Sequence, residues 1–244
     1  MNTPYILITG ASSELGYAVC GLLSKDNRII LHGRNYEQLE SLKNRLRNSQ
    51  HHLVWSFDFS NIDELLPSLH GILNNDVRIE SIIHIAGVYE TMPLRLANHK
   101  SLMRSFNINL FSLIDIVAVL LKKEYREYLK SLVIVSTVSI HGSFGRGNVA
   151  YNVSKSALES YSKVLASELA PNVRVNCIAP GRLNTININQ FDRAIIDKLK
   201  DQHPLGIGHV DDIANMIEYL ISERAKWITG QTFIIDGGST CKIL

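Results

Sequence analysis

Tyr151 and Lys155 stand four residues apart in the run Ala150-Tyr-Asn-Val-Ser-Lys155. That spacing puts a phenol and an ammonium on one face of a helix. A free phenol ionises near pH ~10, and a cation beside it favours the ionised form. A tyrosine tuned in this way can exchange a proton with a substrate near neutral pH. Such pairs also occur on solvated helix faces, so this one gains weight from the other end of the chain. There, Tyr5-Ile-Leu-Ile-Thr-Gly10-Ala-Ser-Ser-Glu-Leu-Gly16 runs from an apolar stretch through a glycine turn into a helical pattern. The free N–H groups and the dipole at such a helix start attract phosphate. Gly10 allows the turn, Gly16 lets helix and strand approach, and Ser12 and Ser13 add hydroxyl donors.

The elements that position these residues follow from the apolar pattern. Strand-like runs fall at Ile6–Thr9, Ile29–His32, Leu53–Phe57, Ser81–Ile85, Leu132–Ser136, Arg174–Ile178 and Thr232–Ile235. Between them the spacing predicts helices at Leu15–Ser24, Tyr36–Arg47, Ile62–Leu73, His99–Lys122, Tyr151–Leu169, Phe191–Lys200 and Asp211–Ile221. Alternating strands and helices imply an α/β fold of the Rossmann type, doubly wound, with a mostly parallel seven-stranded sheet covered on both faces. No linker or repeat divides residues 1–244, which read as a single dinucleotide-binding domain. Ligands of such sheets bind beyond the carboxyl ends of the strands, at positions such as Thr9, Gly33, Asp58, Gly87, Thr137 and Pro180.

Taken together, these segments resemble the short-chain dehydrogenase/reductase family, in its short branch similar to 3-oxoacyl carrier-protein reductases. Thr9-Gly10-Ala-Ser-Ser-Glu-Leu-Gly16 resembles the family's glycine turn. Asp58 resembles its adenine-contacting acid, His84-Ile-Ala-Gly87 its NNAG segment, and Asn109 its helix-borne asparagine. Tyr151 and Lys155 match YxxxK, Pro180-Gly181-Arg-Leu-Asn-Thr185 matches the segment after strand six, and Ile228–Gly238 resembles the closing strand. The resemblance implies a nicotinamide cofactor held by Gly10, Ser12, Ser13, Leu15, Gly16, Gly33, Arg34, Asp58, Phe59, Ala86, Gly87, Tyr151, Lys155, Pro180, Gly181, Leu183 and Thr185. It implies no metal. It makes Tyr151 the proton donor in carbonyl reduction, with Lys155 lowering its pKa and binding the nicotinamide ribose. Asn109 orders a water that relays protons to Lys155. A hydroxyl after strand five holds the carbonyl; Thr137 fits that position, with Ser139 the alternative.

Strand two ends His32-Gly33-Arg34, with glycine where an acid would accept from a ribose 2′-hydroxyl. A guanidinium can instead grip a 2′-phosphate, so NADP(H) is expected over NAD(H), unless Arg34 is a solvent-facing turn residue. Adenine contact is favoured for Asp58 over the alternative that it belongs only to the turn that starts the next helix. Two departures from the family stand out. Glu14 brings a Cβ and a carboxylate toward pyrophosphate, and His84 with Ile85 replaces an asparagine pair, His84 reading as structural. They leave open a second class of function, an NADP(H)-binding sensor or scaffold without turnover. The substrate is expected to be a polar carbonyl or alcohol, such as a sugar derivative or a 3-oxoacyl thioester. The candidate lining residues are Thr91, His141, Ser143, Arg146, Arg182, Asn184 and Asn187.

The net charge of +2 gives no reason to invoke nucleic acid or an anionic membrane. Cys20, Cys177 and Cys241 have no metal-ligand spacing and suit a reducing cytoplasm. No apolar run reaches the roughly 18 residues of a membrane span, and no signal peptide is expected. The helices at 102–121 and 151–169 carry more apolar residues than one sheet face needs, which predicts self-association into a dimer or a homotetramer.

Overall fold

Seven strands pair in one parallel sheet, ordered β3-β2-β1-β4-β5-β6-β7, in a computed structural model that describes residues 3–73, 77–142, 145–185 and 201–241. The strands are β1 (Tyr5–Thr9), β2 (Arg28–Gly33), β3 (Leu53–Ser56), β4 (Ile79–His84), β5 (Ser131–Val135), β6 (Arg174–Pro180) and β7 (Thr232–Ile235). The helices are α1 (Glu14–Leu23), α2 (Tyr36–Arg45), α3 (Leu65–Ile72), α4 (His99–Phe106), α5 (Ser112–Leu120), α6 (Val149–Leu169) and α7 (Val210–Ile221). Successive strand residues alternate between two apolar layers. Leu7, Ile30, Ile82, Leu132 and Ile134 pack with Leu69, Leu113, Val117 and Leu158 from α3, α5 and α6. Ile6, Ile8, Leu31, Val133 and Ile178 pack with Val19, Leu39 and Ile217 from α1, α2 and α7. Burial on both faces explains why the strands read as unbroken apolar runs. The order reverses between β1 and β4, which opens a crevice at their carboxyl ends.

The predicted helix over His99–Lys122 is the main departure. It is broken into α4, a π-helical turn at Asn107–Phe111, and α5. The Ser112 N–H reaches back to the Asn107 carbonyl, the longer step of a π turn. The run His99–Leu120 is also long and apolar enough to cross a membrane by length and composition, at mean hydropathy 1.4. This corrects the expectation that no stretch reaches that length. Half of it is buried inside the fold, where Leu113, Ile116, Val117 and Leu120 are core residues. The helix expected over Ile62–Leu73 opens instead with a 3₁₀ turn at Ile62–Glu64, and the one expected at Phe191–Lys200 lies outside the described residues.

Candidate active site

The glycine turn is shaped by close approach. Gly10 has φ +72, and a Cβ there would lie 2.8 Å from the Ala86 nitrogen; a Cβ on Gly16 would collide with the Gly10 carbonyl oxygen. The turn is therefore packed tightly against its own strand and the end of β4, and it leads straight into the N-terminus of α1, an arrangement that suits a pyrophosphate. Ser13 caps α1: its hydroxyl accepts from Gly16 N at 3.0 Å and donates to Gly10 O at 2.8 Å. Its proton is thus committed to the turn rather than turned outward. Glu14 opens the helix, where a carboxylate favours the positive end of the dipole and opposes an incoming phosphate.

The next strand end offers a cation and an acid. Arg34 is exposed just past β2. Asp58 accepts from the Ser60 N–H at 2.9 Å, so it does belong to a turn. Partial burial pushes its carboxyl up, but the Ser60 hydrogen bonds and the charges of Arg34 and Arg104 outweigh this and hold it below the usual range. Phe59 is buried with its ring stacked on His32 at 3.9 Å, which takes its side chain into the core rather than toward a cofactor.

His84 is structural. Its Nε2 lies 3.3 Å from the Asn109 carbonyl, which can only accept, so Nε2 carries the proton. Nδ1 then accepts from the Thr9 hydroxyl at 2.9 Å, and Thr9 accepts from Ala86 N–H. Burial, with Lys155 adding to it, pulls the imidazole down to about 3, so it stays neutral. The π turn sets Asn109 into this core. Its Oδ1 accepts from Val88 N–H at 2.8 Å and its Nδ2 donates to Ser154 Oγ at 2.8 Å. A Cβ on Gly87 would stand 3.4 Å from both Asn109 Oδ1 and Lys155 Nζ.

Tyr151 and Lys155 lie on α6, beside the end of β5. Lys155 is buried and donates to the Val135 carbonyl at 2.7 Å. Burial pulls its ammonium down to about 8, against the opposing influence of Cys177 and Glu159. Tyr151 stacks edge-on against Tyr89 at 5.0 Å. Its phenol differs from the sequence expectation. Burial pushes the pKa up, and the groups that pull the other way are a hydrogen bond with Thr137 and the charge of Arg182, rather than Lys155. The Lys155 nitrogen is held instead by the Val135 carbonyl.

The two candidate hydroxyls are separated by their partners. Thr137 lines the cavity beside Tyr151, and its hydroxyl draws the phenol's pKa down. Ser139 instead donates to Asn152 Oδ1 at 2.6 Å and lies 3.2 Å from Thr137 Oγ1.

A cavity of about 700 Å³ opens in front of Tyr151, lined also by Leu15, Tyr89, Thr137, Ser139, Asn148, Pro180, Gly181, Arg182, Leu183, Thr185, Gln202, His203, Ser239 and Thr240. Of the lining residues named from sequence, Arg182 is there. Thr91, His141, Arg146 and Asn184 are not among those walls, and Ser143 and Asn187 lie outside the described residues. His141 turns away to Glu159, 2.9 Å off. Asn148, Gln202, His203, Ser239 and Thr240 had no signal in the sequence beyond their polarity. Asn148 accepts from Tyr89 OH at 2.9 Å. Gly181 is a forced glycine, since a Cβ would sit 2.6 Å from Asp236 Cα. Among the described residues no cluster of His, Cys, Asp or Glu could hold a metal ion.

A protein-family model described as enoyl-(acyl carrier protein) reductase matches residues 10–240. Carbonyl reductase family member 4 of Xenopus laevis is 30% identical over 237 residues, 95% of each chain. The 3-oxoacyl-[acyl-carrier-protein] reductase FabG of Rickettsia prowazekii is 32% identical over 241 residues, again 95% of each. Among solved structures, 4-hydroxyisoleucine dehydrogenase complexed with NADH superposes with a TM-score of 0.88 at 27% identity, covering 97% of this chain and 98% of that one.

Proposed function

The chain belongs to the short-chain dehydrogenase/reductase family, and on that premise we propose that it is an NADP(H)-dependent oxidoreductase interconverting a carbonyl and a secondary alcohol. The observation that carries the reading is the Tyr151–Thr137 pair facing a 700 Å³ cavity, with Lys155 one helical turn on and against Gly87. The turn at Gly10 and Gly16 would hold the pyrophosphate, Arg34 the 2′-phosphate, and Lys155 the ribose. When bound, the nicotinamide would supply the hydride. Tyr151 gives its proton to the carbonyl oxygen, and Thr137 steadies that oxygen with its hydroxyl. Asn109 fixes Val88 and Ser154 around Lys155, the setting from which a water relay to that amine would run.

Polar walls favour a polar substrate. Arg182, Asn148, Gln202, His203, Ser239 and Thr240 line the cavity, which fits a sugar-derived ketone or a 3-oxoacyl thioester better than a long apolar alcohol. Free thiols at Cys20, Cys177 and Cys241 fit a reducing cytoplasm.

A panel of sugar-derived ketones and 3-oxoacyl thioesters, followed by oxidation of NADPH and of NADH, tests the reading. Consumption of NADPH with at least one member is expected. Loss of the guanidinium in Arg34→Ala should weaken NADPH roughly ten- to hundredfold, the worth of a charge-assisted contact, and leave NADH unchanged. Equal wild-type affinity for the two cofactors in a binding titration would remove the NADP(H) assignment. Gly33→Asp is the complementary change. Its Cβ would come within 3.1 Å of Ser12 Oγ and 3.2 Å of Leu39 Cδ2, so both side chains have to yield.

We also propose self-association. Much of the apolar surface of α5 is consumed within the chain, which weakens the original reason. What remains outward is Val153 and Val164 on α6, Met103 on α4, and Ile234 and the 96% exposed Trp227 by β7. These patches sit on two sides and fit a dimer or a tetramer. Light scattering at micromolar concentration should give a mass of two or four chains; a single-chain mass would end the proposal.

A further inference from the structure

Two loops beside the cavity are fastened to each other. The Met92 N–H donates to the Gly147 carbonyl at 2.8 Å, and the Tyr89 hydroxyl donates to Asn148 Oδ1 at 2.9 Å. Asn148 is a firm anchor. It is buried, its carbonyl accepts from the Asn152 N–H at 2.8 Å in the first turn of α6, and a Cβ on Gly145 would come within 2.6 Å of its amide nitrogen. The tip of Tyr89 is thereby tied to the helix that carries Tyr151. Its ring meets the Tyr151 ring edge to face, with centroids 5.0 Å apart and planes at 72°, a favourable aromatic contact. The rest of the ring is not packed away: Tyr89 is 60% exposed and lines the cavity. A side chain so exposed gains little from burial, so packing alone does not explain why it is held at both ring and hydroxyl.

Tyr89 follows β4, whereas the lining residues Arg182, Ser239 and Thr240 follow β6 and β7. The strand order puts β4 on one side of β5 and β6 and β7 on the other. The position in front of Tyr151 therefore lies between an aromatic side and a polar side. We propose that Tyr89, latched by Asn148, is a specificity-determining residue that limits the carbonyl substituent on its side to a compact one and sends the longer, polar substituent toward Arg182, Ser239 and Thr240. The substrate class is then an unsymmetrical ketone with one small apolar group and one polar arm. The inference rests on reading Tyr151 as the site of carbonyl reduction.

Ethyl acetoacetate and ethyl benzoylacetate carry the same ester arm and differ only in methyl against phenyl on the other side of the ketone. Wild type should favour the acetoacetate. Tyr89→Ala opens the wall and should raise the benzoylacetate-to-acetoacetate ratio of kcat/KM roughly ten- to hundredfold, the range over which a pocket discriminates by size. Tyr89→Phe keeps the ring and removes the latch, and should raise the ratio about fivefold, the worth of one hydrogen bond. Asn148→Ala should match it, and the two together should add nothing further. A merely structural defect lowers both esters together and leaves the ratio where it was. Calorimetric binding of the two esters to the Tyr151→Phe chain, with and without Tyr89→Ala, reads the same preference without turnover. An unmoved ratio in Tyr89→Ala, additive effects of the two latch substitutions, or no binding of the acetoacetate would overturn the inference. Failure of the enzyme reading is separate: it shows as no oxidation of NADPH with either ester while the binding preference still shifts.

Discussion

Tyr151→Phe should bind NADPH about as well as the wild-type chain and lose turnover by a factor of roughly a hundred or more, the usual contribution of a positioned acid. Phenylalanine keeps the ring that packs on Tyr89 and removes only the oxygen that meets Thr137. The phosphate contacts proposed at the glycine turn and Arg34 stand in front of other strand ends, so cofactor affinity should be spared. The pH dependence follows from the direction of the shift. Burial pushes the phenol up, so at neutral pH it keeps its proton, which is the form reduction consumes. Oxidation of an alcohol needs the phenolate and should accelerate as pH rises, while reduction stays flat across neutrality and declines once the phenol ionises. Stopped-flow measurement of both directions from pH 6 to 10 checks this. A variant with near wild-type turnover, or an oxidation rate that falls with rising pH, would move the chemistry to another group.

What could be read from the chain alone was whatever is encoded locally. The glycine turn was legible because an apolar run passing through glycines into a helical pattern is a local signal, and Gly16 is fixed by Gly10 and Ala11 just before it, although what holds Gly10 is Ala86, after β4. The strands were legible because burial on both faces leaves an unbroken apolar run, and their carboxyl ends located the crevice. Tyr151 and Lys155 were legible as a pair because helical spacing alone brings them to one face. The electrostatics between them were not. Whether an ammonium acts on the next phenol depends on where its nitrogen goes, and Lys155 goes to Val135, a partner supplied by β5. The π turn at Asn107–Phe111 was hidden for the same kind of reason. Its residues continue an apolar helical pattern, and what displaces them is tertiary contact with His84, Val88 and Ser154. The choice between Thr137 and Ser139 likewise rested on Asn152, thirteen residues after Ser139, whose amide has no local signature.

Lys155→Met should abolish most turnover and yet make the fold more stable at neutral pH. Lys155 is 3% exposed, and burial pulls its ammonium from 10.5 to about 8. Below pH 8 the fold holds a buried charge that the unfolded chain keeps in water, so folding bears the full cost, about 3 kcal/mol for a shift of this size. Between pH 8 and 10.5 the folded amine has lost its proton while the unfolded one keeps it, and stability climbs with pH. Above 10.5 both are neutral and the cost is gone. Methionine fills the same channel without charge. It leaves the Val135 carbonyl without its donor, a loss of about 1 kcal/mol, so the net gain at pH 7 is about 1–2 kcal/mol and a few degrees in Tm. The gain should shrink from pH 8 upward and vanish or reverse near pH 10.5, where wild type no longer carries the charge. Denaturant melts of both chains at pH 7, 9 and 10.5, with NADPH oxidation measured alongside, test the two halves together. A methionine variant that is less stable at pH 7, or whose advantage does not fade with pH, would mean that Lys155 is not held as a buried cation. Retained turnover would mean that its charge is not needed for the chemistry. The expected combination, stability gained and catalysis lost, is what a charge kept in the core for function should produce.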